Sequence, residues 1–485
     1  MTIVQNVRRA LLLVAAGLLA AAAGCGGSET QSGSGAGEVA GIVPASAPLL
    51  LAFETDPESE QWQQAEELLS RFPGKQRLLD EVRKGLAEEG VDVENDLVPA
   101  LGDDTYLAVT NFEGGGDNVV FLTQPRDKEK FAELLRKSDE PTVTREVDGW
   151  TLVAESAAAL DRLDASDEKL EDADWFQAAL DRVEDDALLT LYANGAAIHD
   201  ALREEQPAGC ELSEDFGRLD YAVVTIAAED NGVRAWGAAS GEGAAELVKG
   251  ESLLSFVPTG AFAYLGSPGF DTERFGLADQ IRCALDAEGN LPDVERELGA
   301  SFDDLIDLFA GGYALYARSA ALIPEVTLLL APEDEARAVE TLDGLAEKAA
   351  ALGGVEVERE RIGDTEAKEL NFGPVAILYG AGDGRVVVTS ARAGFDALAG
   401  EGGNLEDDEG FRSVRDAAGV EDDDEVFAYF DLRGLPELID RFAGFAEQDL
   451  PQEVEANLKP LSGFIAWGDL SDPNDAEGGA FLEIR

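Results

Sequence analysis

The stretch VVTIAAEDNGVRAWGAA (223–239) sets two β-type runs on either side of Asn231-Gly232. Val, Thr, Ile and Trp suit extended backbone, and Asn-Gly between such runs is a strong signal for a two-residue hairpin turn. Strands joined so tightly must pair antiparallel. Elsewhere, Gly114-Gly115-Gly116 and Gly380-Ala381-Gly382-Asp383-Gly384 mark further turns. Between the strands, Trp62, Ala65, Leu69 and Phe72 repeat at helical spacing, as do Leu79, Val82 and Leu86. Each set makes one apolar helix face. Asp127 and Asp334 stand where a side chain caps the free N–H groups of a helix start. Together these signals predict an α+β fold: a mainly antiparallel sheet with helices over one face.

The pattern occurs twice. Ile42-Val43-Pro44 before LLLAF is matched by Phe256-Val257-Pro258 before AFAYLG. DLVPALGDDTYLAV (96–109) corresponds to DLIDLFAGGYALYA (304–317), and VVFLTQPRDKEKFAELL (119–135) to VTLLLAPEDEARAVETL (326–342). The later blocks GWTLVAES (149–156) and LDYAVVTIAAEDNGVRAWGA (219–238) also find counterparts in the same order. Two tandem units are therefore expected, over residues 41–250 and 251–485.

The first 40 residues read differently. Arg8 and Arg9 precede an apolar run from Ala10 to Ala23, which ends in Ala22-Ala23-Gly24-Cys25. That run is short for a membrane span and suits a cleaved export signal over residues 1–24. The cysteine after the small residues resembles the lipobox position that receives acyl chains such as palmitate, with Ala22 where Leu is usual. Cys25 is thus the expected lipidation site, and two or more acyl chains give stable anchoring. Residues 25–40 comprise that cysteine and a Gly/Ser-rich tether, with GGSETQSGSGAGE at 26–38.

The order of lipobox, VPASAPLLLAF (43–53), DLVPALGDDTYLAV (96–109) and LTQPRDKEKFAELL (122–135) resembles the bacterial "domain of unknown function 3352" family. The resemblance implies a secreted or membrane-tethered α+β protein without an assigned activity. It brings no catalytic residues with it.

Charge narrows the partners. The chain carries 99 acidic and 37 basic residues, a formal net charge of −62. Loss of residues 1–24 would remove two arginines and no acid, leaving −64. Such a surface repels nucleic acid and anionic head groups. With Cys25 given to lipid, Cys210 and Cys283 remain, and an oxidising compartment favours a bridge between them. In FGLADQIRCAL, Cys283 falls opposite the stripe of Leu277, Ile281 and Leu285, so it faces a neighbouring element. Two separate thiols are the alternative.

Candidate chemistry is sparse. His199 is the chain's one histidine, and no G-x-S-x-G elbow supplies it with a nucleophile. Ser166-Asp167-Glu168-Lys169 matches an S-x-x-K string but lies in a charged connector. Gly380 to Gly384 precede a β-rich run, so a hairpin fits better than a phosphate loop. The acids of Glu421 to Asp424 and of Asp469, Asp472 and Asp475 could hold calcium, but neither run has the EF-hand pattern. Paired carboxylates for sugar hydrolysis are not singled out, and only 7% of the chain is aromatic where glycan clefts need aromatic walls. No catalytic residue, cofactor or metal is therefore expected. The expectation is an extracytoplasmic lipoprotein acting as a non-enzymatic binding or scaffold module, held to the membrane through its lipid and taking an envelope protein or small ligand. A carboxylate-based cell-envelope hydrolase and a structural or cation-buffering acidic surface protein are the alternatives.

Overall fold

A computed structural model of the chain describes residues 36–88, 90–112, 118–137, 142–183, 186–204, 218–242, 250, 252–269, 282–283, 285–286, 289–320, 324–373, 375–399, 403–422, 424–439, 451–472 and 474–485. Among the described residues there are eighteen strands: β1 Leu49–Glu54, β2 Asp104–Val109, β3 Val119–Thr123, β4 Val143–Val147, β5 Trp150–Ala154, β6 Leu189–Asn194, β7 Arg218–Glu229, β8 Gly232–Glu242, β9 Ala261–Ser267, β10 Tyr313–Arg318, β11 Glu325–Leu330, β12 Val357–Ile362, β13 Thr365–Asn371, β14 Ala376–Gly382, β15 Arg385–Thr389, β16 Glu425–Asp431, β17 Leu461–Asp472 and β18 Asp475–Ile484. Every pairing between them is antiparallel.

The strands form one continuous sheet, in the spatial order β4-β5-β3-β2-β1-β6-β7-β8 and then β18-β17-β16-β9-β10-β11-β15-β14-β13-β12. The run β6-β1-β2-β3-β5-β4 is wired like β16-β9-β10-β11-β15-β14, with the β12–β13 hairpin added beyond it. Each half also carries an isolated bridge from its Val-Pro to the start of a 3-10 turn: Pro44 to Lys169 before Leu170–Asp172, and Pro258 to Asn404 before Leu405–Asp407. Sequence alone suggested a separate sheet for each half. Instead β8 and β18 pair along most of their length and join the two.

The helices used below are α1 Ala36–Val39, α2 Glu60–Ser70, α3 Lys75–Glu88, α4 Lys128–Lys137, α5 Ala157–Asp164, α6 Asp174–Leu180, α7 Gly195–Glu204, α8 Glu335–Gly353 and α9 Glu409–Ala418. They cover both faces of the sheet, not one. On the first face, α1, α5 and α6 close a core of Leu50, Tyr106, Val120, Leu122, Leu152, Tyr192 and Val223, while α9 closes a second core around Tyr264, Tyr316, Tyr429 and Phe481. On the opposite face α2 sets Trp62, Ala65 and Leu68 on Ala228 and Ile484, α4 sets Phe131 on Val153, and α8 packs on Leu330 and Val386. The reason is visible in the strands. LLLAF, VVFLT and EVTLLL are nearly continuous apolar runs, which suit burial on both faces.

The caps hold as expected. Asp127 accepts from the N–H of Lys130 at 3.0 Å, and Asp334 from that of Arg337 at 3.0 Å. The turns differ in detail. In the β7–β8 hairpin Glu229 pairs with Gly232, so the two-residue loop is Asp230-Asn231. Gly232 serves close approach: a Cβ there would lie 2.3 Å from the Leu482 carbonyl oxygen. Left-handed backbone is instead found at Asp148-Gly149 (φ 50° and 91°) and Asp383-Gly384 (φ 54° and 77°), the turns of the β4–β5 and β14–β15 hairpins. Both φ values positive is what a type I′ turn requires.

Candidate functional site

β7, β8, β18 and β17 occupy the middle of the sheet. A cleft of about 1020 Å³ opens there, with residues of both halves in its lining. Its floor is set by the strand register. Trp236 on β8 lies opposite Gly479 on β18, and Gly479 lies opposite Trp467 on β17. Period-two alternation puts all three on one face. The missing side chain at Gly479 is what the row needs, since a Cβ there would sit 2.8 Å from Cζ2 of Trp467. The Trp467 indole therefore leans over the glycine, between the two halves.

Two arginines tie the walls together. Arg182, in the turn after α6, donates to Asp475 at 2.7 Å and to Glu477 at 2.5 Å, both on β18. Burial works to lower its pKa, but the bond to Asp475 and the field of both acids outweigh this and raise it. Arg234 on β8 donates to Glu229 and, at 2.7 Å, to the carbonyl of Ala418 at the end of α9. Its guanidinium lies 5.6 Å from the Trp467 ring centroid and 5.3 Å from that of Phe481. Gln61 of α2 grips the end of β7, accepting from the Ala228 N–H at 2.8 Å and donating to its carbonyl at 3.3 Å. Asp469 also lines the cleft and accepts from the Ser471 N–H, which holds its carboxyl below the usual range.

A second polar cluster lies on β1 and β2, where Glu54 pairs with Asp104. Burial pushes the Asp104 carboxyl up to about 6, and repulsion from Glu38, Asp103 and Asp56 adds to it. A carboxyl raised in the folded state binds protons more tightly there than in the unfolded chain. Its penalty is therefore full above pH 6 and absent below about pH 4, where both states are protonated. Asp104→Asn should stabilise the protein at pH 7.5 by on the order of 2 kcal/mol. The gain should vanish at pH 4. Urea unfolding at both pH values checks this, and an equal effect at both would sink it.

The residues singled out from sequence do not converge. His199 sits on α7 with its side chain 16% exposed, and among the described residues its acidic neighbour is Asp200 at 3.9 Å. Ser166 bonds locally, its hydroxyl meeting the Glu168 backbone, and Lys169 donates to the Leu163 carbonyl. Gly380 to Gly384 end β14 and turn into β15. Asp424 accepts from the Glu421 N–H, and Asp472 accepts from that of Asn474, as turn residues do. Among the described residues no group of three His, Cys, Asp or Glu side chains is arranged to hold a metal ion. Nor is any described helix long and apolar enough to cross a membrane. Cys283 is disulfide-bonded. Cys25 and Cys210 lie outside the described residues. The tryptophan row went unread in the sequence: the repeated Trp-Gly of VRAWGA and FIAWGD marks the two indoles, but not that their strands lie one strand apart.

No curated protein matches the chain. Among solved structures, "Structure of crystal form III of TP0453" aligns at 11% identity over 41% of this chain and 78% of that one, with a TM-score of 0.22. "Structure of crystal form IV of TP0453" aligns at 12% identity over 43% and 83%, with a TM-score of 0.23. At such scores the likeness carries no argument about the fold. Over residues 9–155 the chain matches the family described as "Protein of unknown function (DUF3352)", the family its N-terminal motifs resemble.

Proposed function

We propose that this chain is a lipid-anchored, extracytoplasmic binding module that takes its ligand in the cleft between the two halves. The observation that carries this reading is the cleft itself. It has the size of a small-molecule site, is lined from both halves, and has two tryptophans in its lining. Adjacent positions on β7 give the test. Thr225 lines the cleft, whereas Val224 points to the opposite face and is 38% exposed. A photo-crosslinking residue at Thr225, irradiated on native membranes, should yield an adduct of discrete mass. The same residue at Val224 should not. Equal labelling at both, or none at Thr225, would remove the cleft from consideration.

The anchor rests on Cys25 at the end of the small-residue run. Cys25→Ser should abolish palmitate incorporation and release the protein from membranes. Full retention of the variant on membranes would refute anchoring. The proposed partner of Cys283 is Cys210, and peptide mapping without reductant should recover the two joined. A bridge from Cys283 to Cys25 would overturn both assignments at once.

A further inference from the structure

We infer that the ligand of the cleft is an organic polycation, of the class of linear aliphatic polyamines. The inference rests on the reading of the cleft as a binding site and names what that site selects. The first observation is the aromatic floor. Trp236 and Trp467 stand on strands separated by one intervening strand, which places their backbones about 10 Å apart. Indole faces attract cations more strongly than other side-chain rings do. In this cleft one already does so, because the Arg234 guanidinium sits over the Trp467 ring.

The second observation is the sign of the walls. Seven carboxylates line the cleft against two guanidinium groups. Both arginines are already engaged, Arg182 by Asp475 and Glu477 and Arg234 by Glu229. Asp186, Asp230, Glu421 and Asp424 lie around the same space. A concave wall with so large an excess of one sign concentrates counter-charge. An anionic ligand is therefore repelled. A neutral polyol gains from the indoles but leaves the carboxylates uncompensated. A chain of ammonium groups on a methylene backbone answers both features, with charge for the acids and apolar links for the rings. It is also longer than a metal ion, which suits a cleft of about 1020 Å³.

The test uses the mature, lipidated chain in detergent and spermidine as the probe, at 0.15 M NaCl to screen loose surface binding. Calorimetry should show one saturable site, with a matching change in tryptophan emission. Trp236→Leu with Trp467→Leu keeps apolar bulk and removes the π faces, and should weaken binding at least tenfold. Asp186→Asn with Glu421→Gln should weaken it by a similar factor. Glu358→Gln with Asp364→Asn, at the far β12–β13 hairpin, should leave it unchanged. Circular dichroism confirms that each variant is folded. Non-saturable binding, or equal loss in the distant variant, would overturn the inference. So would saturable binding of a neutral chito-oligosaccharide in place of spermidine, although Thr225 labelling would then still support the cleft as a site. If neither probe binds and Thr225 is not labelled, the site reading itself fails.

Discussion

Replacing Arg318 by alanine should remove about 3–5 kcal/mol of folding stability. Arg318 ends β10 and faces Glu325, which begins β11. Its guanidinium meets both carboxylate oxygens, at 2.7 and 2.9 Å, and also donates to the Ala393 carbonyl at 3.0 Å. The side chains are 17% and 6% exposed. Glu325 further accepts from Thr327, which shares a 2.7 Å bond with Thr389. Truncating the arginine would strand a buried carboxylate, and that desolvation is where the cost arises. The sharper check is the pair. Arg318→Met with Glu325→Leu removes both charges and should lie within about 1–2 kcal/mol of the parent, because a buried ion pair is worth little against apolar groups of like volume. Urea unfolding of the three proteins measures this. A loss below about 1 kcal/mol for Arg318→Ala would mean that Glu325 reaches water.

Phe481→Ala should be comparably severe, at about 3–5 kcal/mol. Phe481 is fully buried on β18, opposite Arg234 of β8. The Arg234 guanidinium stacks over it, and a Cβ at Gly232 would come within 2.6 Å of its Cζ. The ring thus fills the space where the halves meet, and alanine would leave a cavity there while Arg234 loses one aromatic partner. Phe481→Leu should cost far less, about 1 kcal/mol, because most of the volume stays. Amide hydrogen exchange provides a local readout. The alanine variant should lose protection first along β8 and β18. Unchanged protection there, with loss elsewhere, would show that the ring does not hold the junction.

How much of this was legible depends on which forces act locally. Asp127 and Asp334 were readable as caps because a cap is decided by a few neighbouring residues. The Gly380–Gly384 turn was readable because the run after it, Arg385 to Thr389, is β-rich. Helix α2 was placed, but its buried stripe runs through Trp62, Ala65 and Leu68, with Leu69 only partly covered. A one-residue rotation of that kind depends on the partner surface, here Ala228 and Ile484, which lie far away in sequence. Helices on both faces were missed because the continuously apolar strand runs LLLAF, VVFLT and EVTLLL were not weighed as a sign of burial on both sides. Neither the Trp236–Gly479–Trp467 row nor the Arg182 pairs to Asp475 and Glu477 could be read. Each depends on β8 finding β18, a pairing across more than two hundred residues that no local pattern encodes.

Among the described residues the sheet ends at β4 and β12, whose sequences are VTREV and VERERI. An open strand edge is a template on which another copy can add itself. The proposed anchoring makes that hazard acute, because molecules confined to a plane meet far more often than molecules diffusing in a volume. Arg145 on β4 and the alternating Glu358, Arg359, Glu360 and Arg361 on β12 burden a newcomer with charges it would have to strip of water. Crowding on a surface thus need not become polymerisation, and each copy can keep its own central cleft accessible.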